Sequence, residues 1–399
     1  MTIIDVDAHF EPTVDWLDEF PRLKERLPQK YPESDPRFAL AAAEHFAFML
    51  SDDLLRHVAP EHRMPISELV TPHCNLVFDV TKSDAEAAGY RGATQNPEFV
   101  DPAARIAWMD EQGISLMNVI SGMVMTLSRA IEDAELGMET LEALNGWMAD
   151  RCADHLDRMI PTTTLRYEDP DWCVKELTRM RERGSRFFLL NAEPVNNVAP
   201  IDPMYDRVWD AAADLGMAGL IHVGLAQRTF HPGWARIKDP MVLRVLSTSF
   251  PSQTAETWLI AWIMSGHFDR HPNFNVVMAE QGIDWVAPLG KRLDQITVPG
   301  VSKAIVAGGY TADLKPSEYI RRQVRVSPLP TPAFDPMEML AEFPEVGVYS
   351  SDYPHFEGSD RPTEHYEEMF ATRGTQEGKE MFYRSNILDV FERIGDPLQ

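Results

Sequence analysis

The chain has 399 residues, of which 44% are hydrophobic and 10% aromatic, and its formal net charge is −25 at pH 7. This composition indicates a globular protein with a large core, and the length exceeds that of a usual single domain. The strong negative charge argues against nucleic acid and anionic membrane surfaces as partners.

The sequence carries neither a recognisable secretory signal nor a candidate membrane helix. The first residues lack a basic region and an apolar run. The most apolar stretch, residues 258–264, is much shorter than the ~20 residues that a membrane helix needs. Cys74, Cys152 and Cys173 are too few for a disulfide framework and form no Cys-x-x-Cys pair, and Cys173 fits the core face of a helix. We therefore expect a cytoplasmic protein.

Short apolar runs alternate with amphipathic helices over most of the chain, which is typical of repeated βα units. Helix signals are clearest at Asp169-Pro170 and Asp202-Pro203, where an N-cap residue precedes a first-turn proline, and Gly216 ends the second helix. Several runs are apolar throughout, as expected of strands buried on both faces. The strand candidates are residues 3–10, 116–121, 159–165, 187–191, 219–223, 275–280, 323–327 and 347–351. Eight strands close a barrel, so the sequence predicts an α/β fold, a (β/α)₈ TIM barrel formed by one domain over residues 1–399.

One long segment interrupts this alternation. About ninety residues, rich in proline and charge, separate the first strand from a predicted helix at residues 101–112. A barrel accommodates such an insertion after a strand, which places it at the C-terminal, catalytic face. We expect residues 11–100 to cap the mouth of the pocket, and an oligomerisation arm is the alternative interpretation.

Three predicted strands end in residues that can bind a metal. Asp7 and His9 lie two positions apart at the end of the first strand, so they point to the same side, and Asp5 shares that side one layer deeper. His222 ends the fifth strand, and Asp352 follows the eighth, which neighbours the first in a closed barrel. Taken singly, His222 could be a core histidine and Asp352 the start of a turn. Together they indicate a metal site at the mouth of the barrel.

Two further residues join Asp352 as candidate catalytic groups. Glu280 ends the sixth strand, where a carboxylate beside a metal can transfer protons, and a structural salt bridge is the alternative. His355 lies three positions after Asp352 and is expected to orient the site, or to form a second metal site with Glu280. His267 and His271 are interpreted as surface residues that cap a helix C-terminus.

A group of arginines lies near the predicted seventh strand. Arg321, Arg322 or Arg325 at that rim would suit a substrate carboxylate, although a solvated helix end explains at least two of them equally well.

The sequence contains no Gly-x-Ser-x-Gly nucleophile, phosphate-binding glycine loop or dinucleotide fingerprint. These observations favour metal-assisted chemistry.

Five sequence motifs are spread over nearly the whole chain. They are IDVDAH at 4–9, ARIAWMDEQG at 104–113, FDRHPNFNVV at 268–277 followed by Ala279-Glu280, SDYPH at 351–355 and SNIL at 385–388. In these motifs the sequence resembles the amidohydrolase-related family that includes aminocarboxymuconate-semialdehyde decarboxylase and the hydroxybenzoate decarboxylases. The resemblance implies the metal-dependent hydrolase type of TIM barrel. It also implies that Asp7, His9, His222 and Asp352 bind one divalent metal, usually zinc.

The chain departs from the family pattern at two positions. Many relatives begin with His-x-His or Glu-x-His where this chain has Asp7-x-His9, and a carboxylate there also suits manganese or iron. The decarboxylase after which the family is named has a histidine where this chain has Glu280. The activity of that enzyme is therefore not carried over directly.

We therefore expect an enzyme, either a metal-dependent hydrolase or a non-oxidative decarboxylase, that cleaves a C–N or C–C bond in a small carboxylated substrate. In hydrolysis Asp352 would take a proton from activated water, and in decarboxylation Glu280 or the water would reprotonate carbon. The alternatives are a non-haem iron or manganese oxygenase, mononuclear or dinuclear, and a catalytically silent partner subunit. The resemblance also predicts a homodimer or higher oligomer, and a related chain is the alternative partner.

Overall fold

Parallel strands alternate with helices along the part of the chain that the computed structural model describes. This part comprises residues 2–10, 12, 16–26, 97–122, 131, 133–223, 242, 245, 249–305, 307–328, 335–353 and 361–398. Seven strands form one parallel sheet in sequential order. They are β1 (Ile3–His9), β2 (Ile114–Ile120), β3 (Met159–Thr163), β4 (Phe187–Leu189), β5 (Ala218–His222), β6 (Val276–Ala279) and β7 (Val324–Val326).

The segment 346–353 lies between β7 and β1 and closes the ring. On one side, the N–H of Val348 donates to the carbonyl of Val326 at 3.1 Å. On the other side, the N–H of Asp352 donates to the carbonyl of Asp7 at 2.9 Å. This segment therefore occupies the position predicted for the eighth strand, although it forms only an isolated parallel bridge and no regular strand. The fold is the (β/α)₈ barrel that the sequence predicts.

The helices cover the outside of the sheet. Every residue of the seven strands except Ser115 is buried, because the barrel interior covers one face of each strand and helices cover the other. The helices of the described residues are α1 (Pro21–Arg26), α2 (Pro102–Gln112), α3 (Ala134–Cys152), α4 (Pro170–Glu182), α5 (Asp206–Asp214), α6 (Gln253–Met264), α7 (His267–Arg270), α8 (Val286–Thr297), α9 (Pro299–Ile305), α10 (Pro316–Gln323), α11 (Met337–Glu342), α12 (Pro362–Arg373), α13 (Gln376–Glu380) and α14 (Asn386–Arg393). None of the helices in these ranges is long and apolar enough to cross a membrane.

Local sequence signals set the ends of several helices. The side chain of Asp169 accepts the N–H groups of the first turn of α4, and Pro170 is its first residue, as predicted. Asp202 caps a 3₁₀ turn, Pro203–Tyr205, which continues into α5. Gly216 follows α5 in the left-handed conformation, with a φ of 63°. Glycine adopts this conformation without steric cost, which explains why the helix ends there.

The predicted insertion, residues 11–100, lies mostly outside the described residues. Its first part forms a 3₁₀ turn, Trp16–Glu19, followed by α1. This part packs on the outer helical layer, where Arg151 of α3 pairs with Glu19 at 2.8 Å. The role of the insertion as a cap over the mouth stays a prediction.

Candidate metal centre

Side chains from two strand ends meet at the C-terminal mouth of the barrel. Asp7, His9 and His222 each offer one ligand atom, and these three atoms lie within 4.8 Å of one another. Nε2 of His222 lies 3.5 Å from Oδ1 of Asp7, and Nε2 of His9 lies 3.9 Å from the same oxygen. Ligand atoms typically lie about 2.0–2.2 Å from a bound zinc ion. Separations of 3.5 and 3.9 Å between the ligand atoms therefore allow them to bind one ion together. All three side chains are buried.

Asp352 approaches this group through His9. Its Oδ1 lies 3.4 Å from Nε2 of His9, and its side chain is fully buried. The compact group within 4.8 Å comprises Asp7, His9 and His222. Asp352 therefore lies at the edge of the cluster, and its role as a fourth ligand stays a prediction.

Glu280 lies against the other histidine of the cluster. Its Oε2 is 3.3 Å from Nε2 of His222, and only 7% of the residue is exposed. The structure thus brings Glu280 to the site, directly after β6, where the sequence placed it. Its role in proton transfer stays a prediction.

Glu280, directly after β6, and Asp352, near the end of the eighth segment, have a left-handed backbone conformation. The φ angles are 60° for Glu280 and 51° for Asp352. This conformation costs a non-glycine residue roughly 1–2 kcal/mol and persists only where the surroundings impose it. The other described non-glycine residues with positive φ are Asn196 and Asn197. Asparagine and aspartate tolerate this conformation better than glutamate, so Glu280 carries the larger strain. A left-handed backbone at two carboxylates of the same rim supports a functional role for this rim.

The environment of His222 suits a metal ligand. Its Nδ1 lies 2.7 Å from the carbonyl of Val223, so Nδ1 carries the proton of the neutral ring and the lone pair of Nε2 faces the cluster. Burial lowers the pKa of His222, but the carboxylates of Asp7 and Glu280 outweigh it and raise the pKa to about 9. A divalent cation would take the place of that proton and neutralise the surrounding carboxylates.

Two buried charged residues near the site were not assigned a role from the sequence. Asp5 lies below Asp7, and its Oδ1 accepts the backbone N–H groups of Asp7 at 3.1 Å and Ser351 at 3.0 Å. Burial raises the pKa of Asp5 to about 7, although the hydrogen bonds from Ser351 and Asp7 lower it. Arg105 is fully buried in α2, and its Nη2 donates to the carbonyl of His9 at 2.5 Å. The only local signal for this contact is the helical spacing that places Arg105 on the same face as Trp108 and Met109.

The structure corrects the interpretation of the arginines near β7. Arg325 is buried, and its guanidinium donates to the carbonyl of Asn386 at 3.0 Å and to Asp389 at 2.5 Å, both in α14. Arg321 pairs with Glu345 at 2.7 Å. The suggestion that one of Arg321, Arg322 and Arg325 binds a substrate carboxylate is therefore wrong for Arg325, because its guanidinium is paired with Asp389 on the outer helical layer.

The remaining histidine predictions have mixed outcomes. His267 and His271 are not part of the metal cluster, as predicted, but they are buried instead of lying at the surface. They face α5, where His267 lies 3.6 Å from Asp206 and His271 lies 3.6 Å from Asp210. His355 lies outside the described residues, so its role stays a prediction.

A closed parallel barrel with imidazoles and carboxylates at its C-terminal mouth defines a metal-dependent barrel of the hydrolase type. The amidohydrolase family model matches residues 4–393, and the chain belongs to this family. One curated relative is the gamma-resorcylate decarboxylase of Rhizobium sp. (strain MTP-10005), which is 27% identical over 186 residues, covering 45% of this chain and 54% of that protein. The chain thus spans about half the length of the curated relatives that it matches.

Solved structures share the fold over almost the whole chain. An amidohydrolase from Mycobacterium avium subsp. paratuberculosis K-10 has a TM-score of 0.67 at 22% identity, covering 98% of this chain and 97% of that one. A 5-carboxyvanillate decarboxylase from Novosphingobium aromaticivorans DSM 12444, solved with bound manganese, has a TM-score of 0.65 at 17% identity, with coverages of 98% and 97%. These similarities confirm the predicted barrel.

Proposed function

We propose that the protein is a metal-dependent decarboxylase of a small aromatic carboxylate. The observation that carries the proposal is the buried cluster of Asp7, His9 and His222 at the mouth of an amidohydrolase-family barrel. The gamma-resorcylate and 5-carboxyvanillate decarboxylases among its relatives support both the reaction and the substrate class. Hydrolysis of a C–N bond could use the same cluster and is the alternative reaction.

Asp7, His9, His222 and Asp352 would hold one divalent ion. When bound, the ion would supply a Lewis acid that polarises a substrate oxygen. Two of the four proposed ligands are carboxylates, which suit manganese better than an all-histidine set would. The manganese in the 5-carboxyvanillate relative supports this choice, and zinc, which the family resemblance implies, is the alternative.

Glu280 would deliver the proton that replaces the lost carboxylate. Loss of CO₂ leaves an electron pair on carbon, and a positioned acid must protonate it. The Glu280 carboxylate lies beside the ligand cluster, 3.3 Å from Nε2 of His222, and is almost entirely buried. A buried acid next to the cluster could deliver the proton with little bulk water present.

The test is decarboxylation by the full chain after metal removal and reloading. Protein treated with a chelator is reloaded with Mn²⁺ or Zn²⁺ and incubated with 2,6-dihydroxybenzoate or 5-carboxyvanillate, and CO₂ and the aromatic product are measured. We expect turnover only in loaded protein, loss of turnover and bound metal in His222→Ala, and retention of both in His271→Ala. The second variant is a matched control, because His271 is also buried but faces α5.

Other outcomes would point to the alternatives. Cleavage of amide substrates with no release of CO₂ would replace the decarboxylase by a hydrolase. Consumption of oxygen by iron-loaded protein would instead favour the oxygenase. The predicted homodimer or higher oligomer is a separate proposal, which light scattering at micromolar concentration tests.

A further inference from the structure

β1 contains a bulge at the segment that carries the ligand Asp7. Asp5 pairs with Met117 and Ala8 pairs with Val119, so the chain takes three steps along β1 for two along β2. A bulge interrupts the regular ladder and changes the direction of the side chains that follow, and bulges often occur at barrel rims beside active sites. The directions of Asp7 and His9 therefore depend on the shape of this bulge.

Two buried side chains bond to the backbone inside the bulge. Oδ1 of Asp5 accepts the N–H of Asp7 at 3.1 Å, and Nδ2 of Asn118 donates to the carbonyl of Val6 at 3.0 Å. Asn118 is fixed in turn, because its Oδ1 accepts the hydroxyl of Thr162 at 2.9 Å. Buried backbone groups need such partners, so these bonds stabilise one shape of the bulge.

The same oxygen of Asp5 also holds the segment that carries Asp352. It accepts the N–H of Ser351 at 3.0 Å, and the hydroxyl oxygen of Ser351 accepts the N–H of Tyr353 at 3.1 Å. These bonds lie on either side of Asp352, whose φ of 51° lies in the left-handed region that residues with a side chain rarely adopt. Strained backbone persists where neighbouring contacts impose it, and Asp5 supplies one of those contacts.

We infer that Asp5 is a positioning residue of the metal centre, since one of its oxygens fixes both the bulge that directs Asp7 and the turn that directs Asp352. The inference rests on the proposed function only in that Asp7 and Asp352 bind an ion. We expect the positioning to depend on the acceptor oxygen of Asp5 and not on its negative charge, because both groups that donate to Oδ1 are backbone N–H groups. Asparagine can place an acceptor oxygen at the same position, whereas alanine and valine cannot.

The experiment measures metal binding directly, without an activity assay. Mn²⁺ is titrated into the chelator-treated full chain by calorimetry, and the bound ion is examined by electron paramagnetic resonance. The variants are Asp5→Asn, Asp5→Ala and Asp5→Val, and Ser185→Ala is the matched control. Ser185 is also fully buried, and its hydroxyl contacts Thr163 at 2.7 Å and the carbonyl of Phe187 at 2.9 Å, between β3 and β4.

We expect Asp5→Ala to weaken Mn²⁺ binding about ten- to a hundredfold, the usual effect of losing a residue that orients ligands, and to change the resonance spectrum. Asp5→Asn should keep the wild-type affinity within about threefold and keep the spectrum, because the acceptor is retained. Ser185→Ala should leave both unchanged. Valine fills the space of aspartate and suits a strand, so Asp5→Val gives the same comparison if the alanine variant does not fold.

Two results would overturn the inference while leaving the metal centre intact. One is wild-type affinity and spectrum in Asp5→Ala and Asp5→Val. The other is an Asp5→Asn variant that binds as weakly as Asp5→Ala, because the charge and not the acceptor would then be what matters. A wild-type chain that binds neither Mn²⁺ nor Zn²⁺ would overturn the proposed metal centre itself, and the role of Asp5 with it.

Discussion

The backbone strain at Glu280 can be measured by comparing its glycine and alanine variants. Both substitutions remove the buried carboxylate, but only Glu280→Gly also relieves the φ of 60°. The left-handed conformation costs a residue with a Cβ roughly 1–2 kcal/mol. Glycine loses about 0.5–1 kcal/mol more than alanine in conformational entropy on folding. The difference predicts that Glu280→Gly is more stable than Glu280→Ala by about 0.5–1 kcal/mol.

The assay is urea unfolding of the chelator-treated chain at 25 °C, followed by the fluorescence of its nine tryptophans. Metal is removed so that a change in metal affinity does not contribute to the free energy of unfolding. The midpoint of Glu280→Gly should lie at higher urea than that of Glu280→Ala, with an equal slope for the two variants.

Gln281 provides the matched control. It is the next residue, it is buried, and it is not among the described residues with positive φ. Gln281→Gly should therefore be less stable than Gln281→Ala, by the usual glycine penalty of about 0.5–1 kcal/mol. The reasoning would be refuted if Glu280→Gly were also the less stable of its pair, because no strain would then have been relieved.

Three further substitutions test the site, a buried histidine and a helix end. Asp352→Asn should slow decarboxylation at least ~100-fold in a chain whose circular dichroism is unchanged, because it removes a charged group of the metal site. Burial lowers the pKa of His267 to about 4, below the ~6.5 of an unfolded chain, so stability is lost as the pH falls through this range. Urea unfolding should show that wild type loses about 2 kcal/mol more than His267→Gln between pH 7 and pH 5, and equal losses would contradict it. Gly216→Ala would place a Cβ 2.3 Å from the carbonyl of Ile394 and should lower the melting temperature more than Gly113→Ala, which meets nothing within 4 Å.

The strands and the positions of the proposed ligands in β1 and β5 were predictable because their signals are local. A buried strand is an apolar run, and a residue that ends such a run in a parallel barrel must lie at the C-terminal mouth. This rule placed Asp7, His9 and His222 correctly, and it also placed Glu280 beside them. The eighth segment was predicted at the right position. Its apolar residues did not indicate that it makes too few backbone hydrogen bonds with its neighbours to form a regular strand.

The features that sequence reasoning missed depend on partners far away in the chain. The bulge in β1 is a mismatch between its register and that of β2, more than a hundred residues later. Arg325 could be named only as one of three candidates for the rim, since its partner, Asp389, lies 64 positions away in α14 and no local signal indicates the pair. The burial of His267 could not be predicted, because it comes from packing against α5, a different helix. Such contacts are set by tertiary structure and leave no local pattern.

Three of the four proposed ligands, Asp7, His9 and Asp352, come from the first and the last segments of the barrel ring, which adjoin each other. Asp5 and Ser351, which are hydrogen-bonded across this junction, lie 346 positions apart. Bringing such distant segments together costs about 5 kcal/mol of chain entropy, if the cost scales as (3/2)RT ln n. During synthesis the proposed ligands in these two segments cannot come together until nearly all of the barrel has left the ribosome. If Asp7 and Asp352 both hold the ion, metal binding would resist separation of the first and last segments, and metal removal would weaken the barrel at this junction.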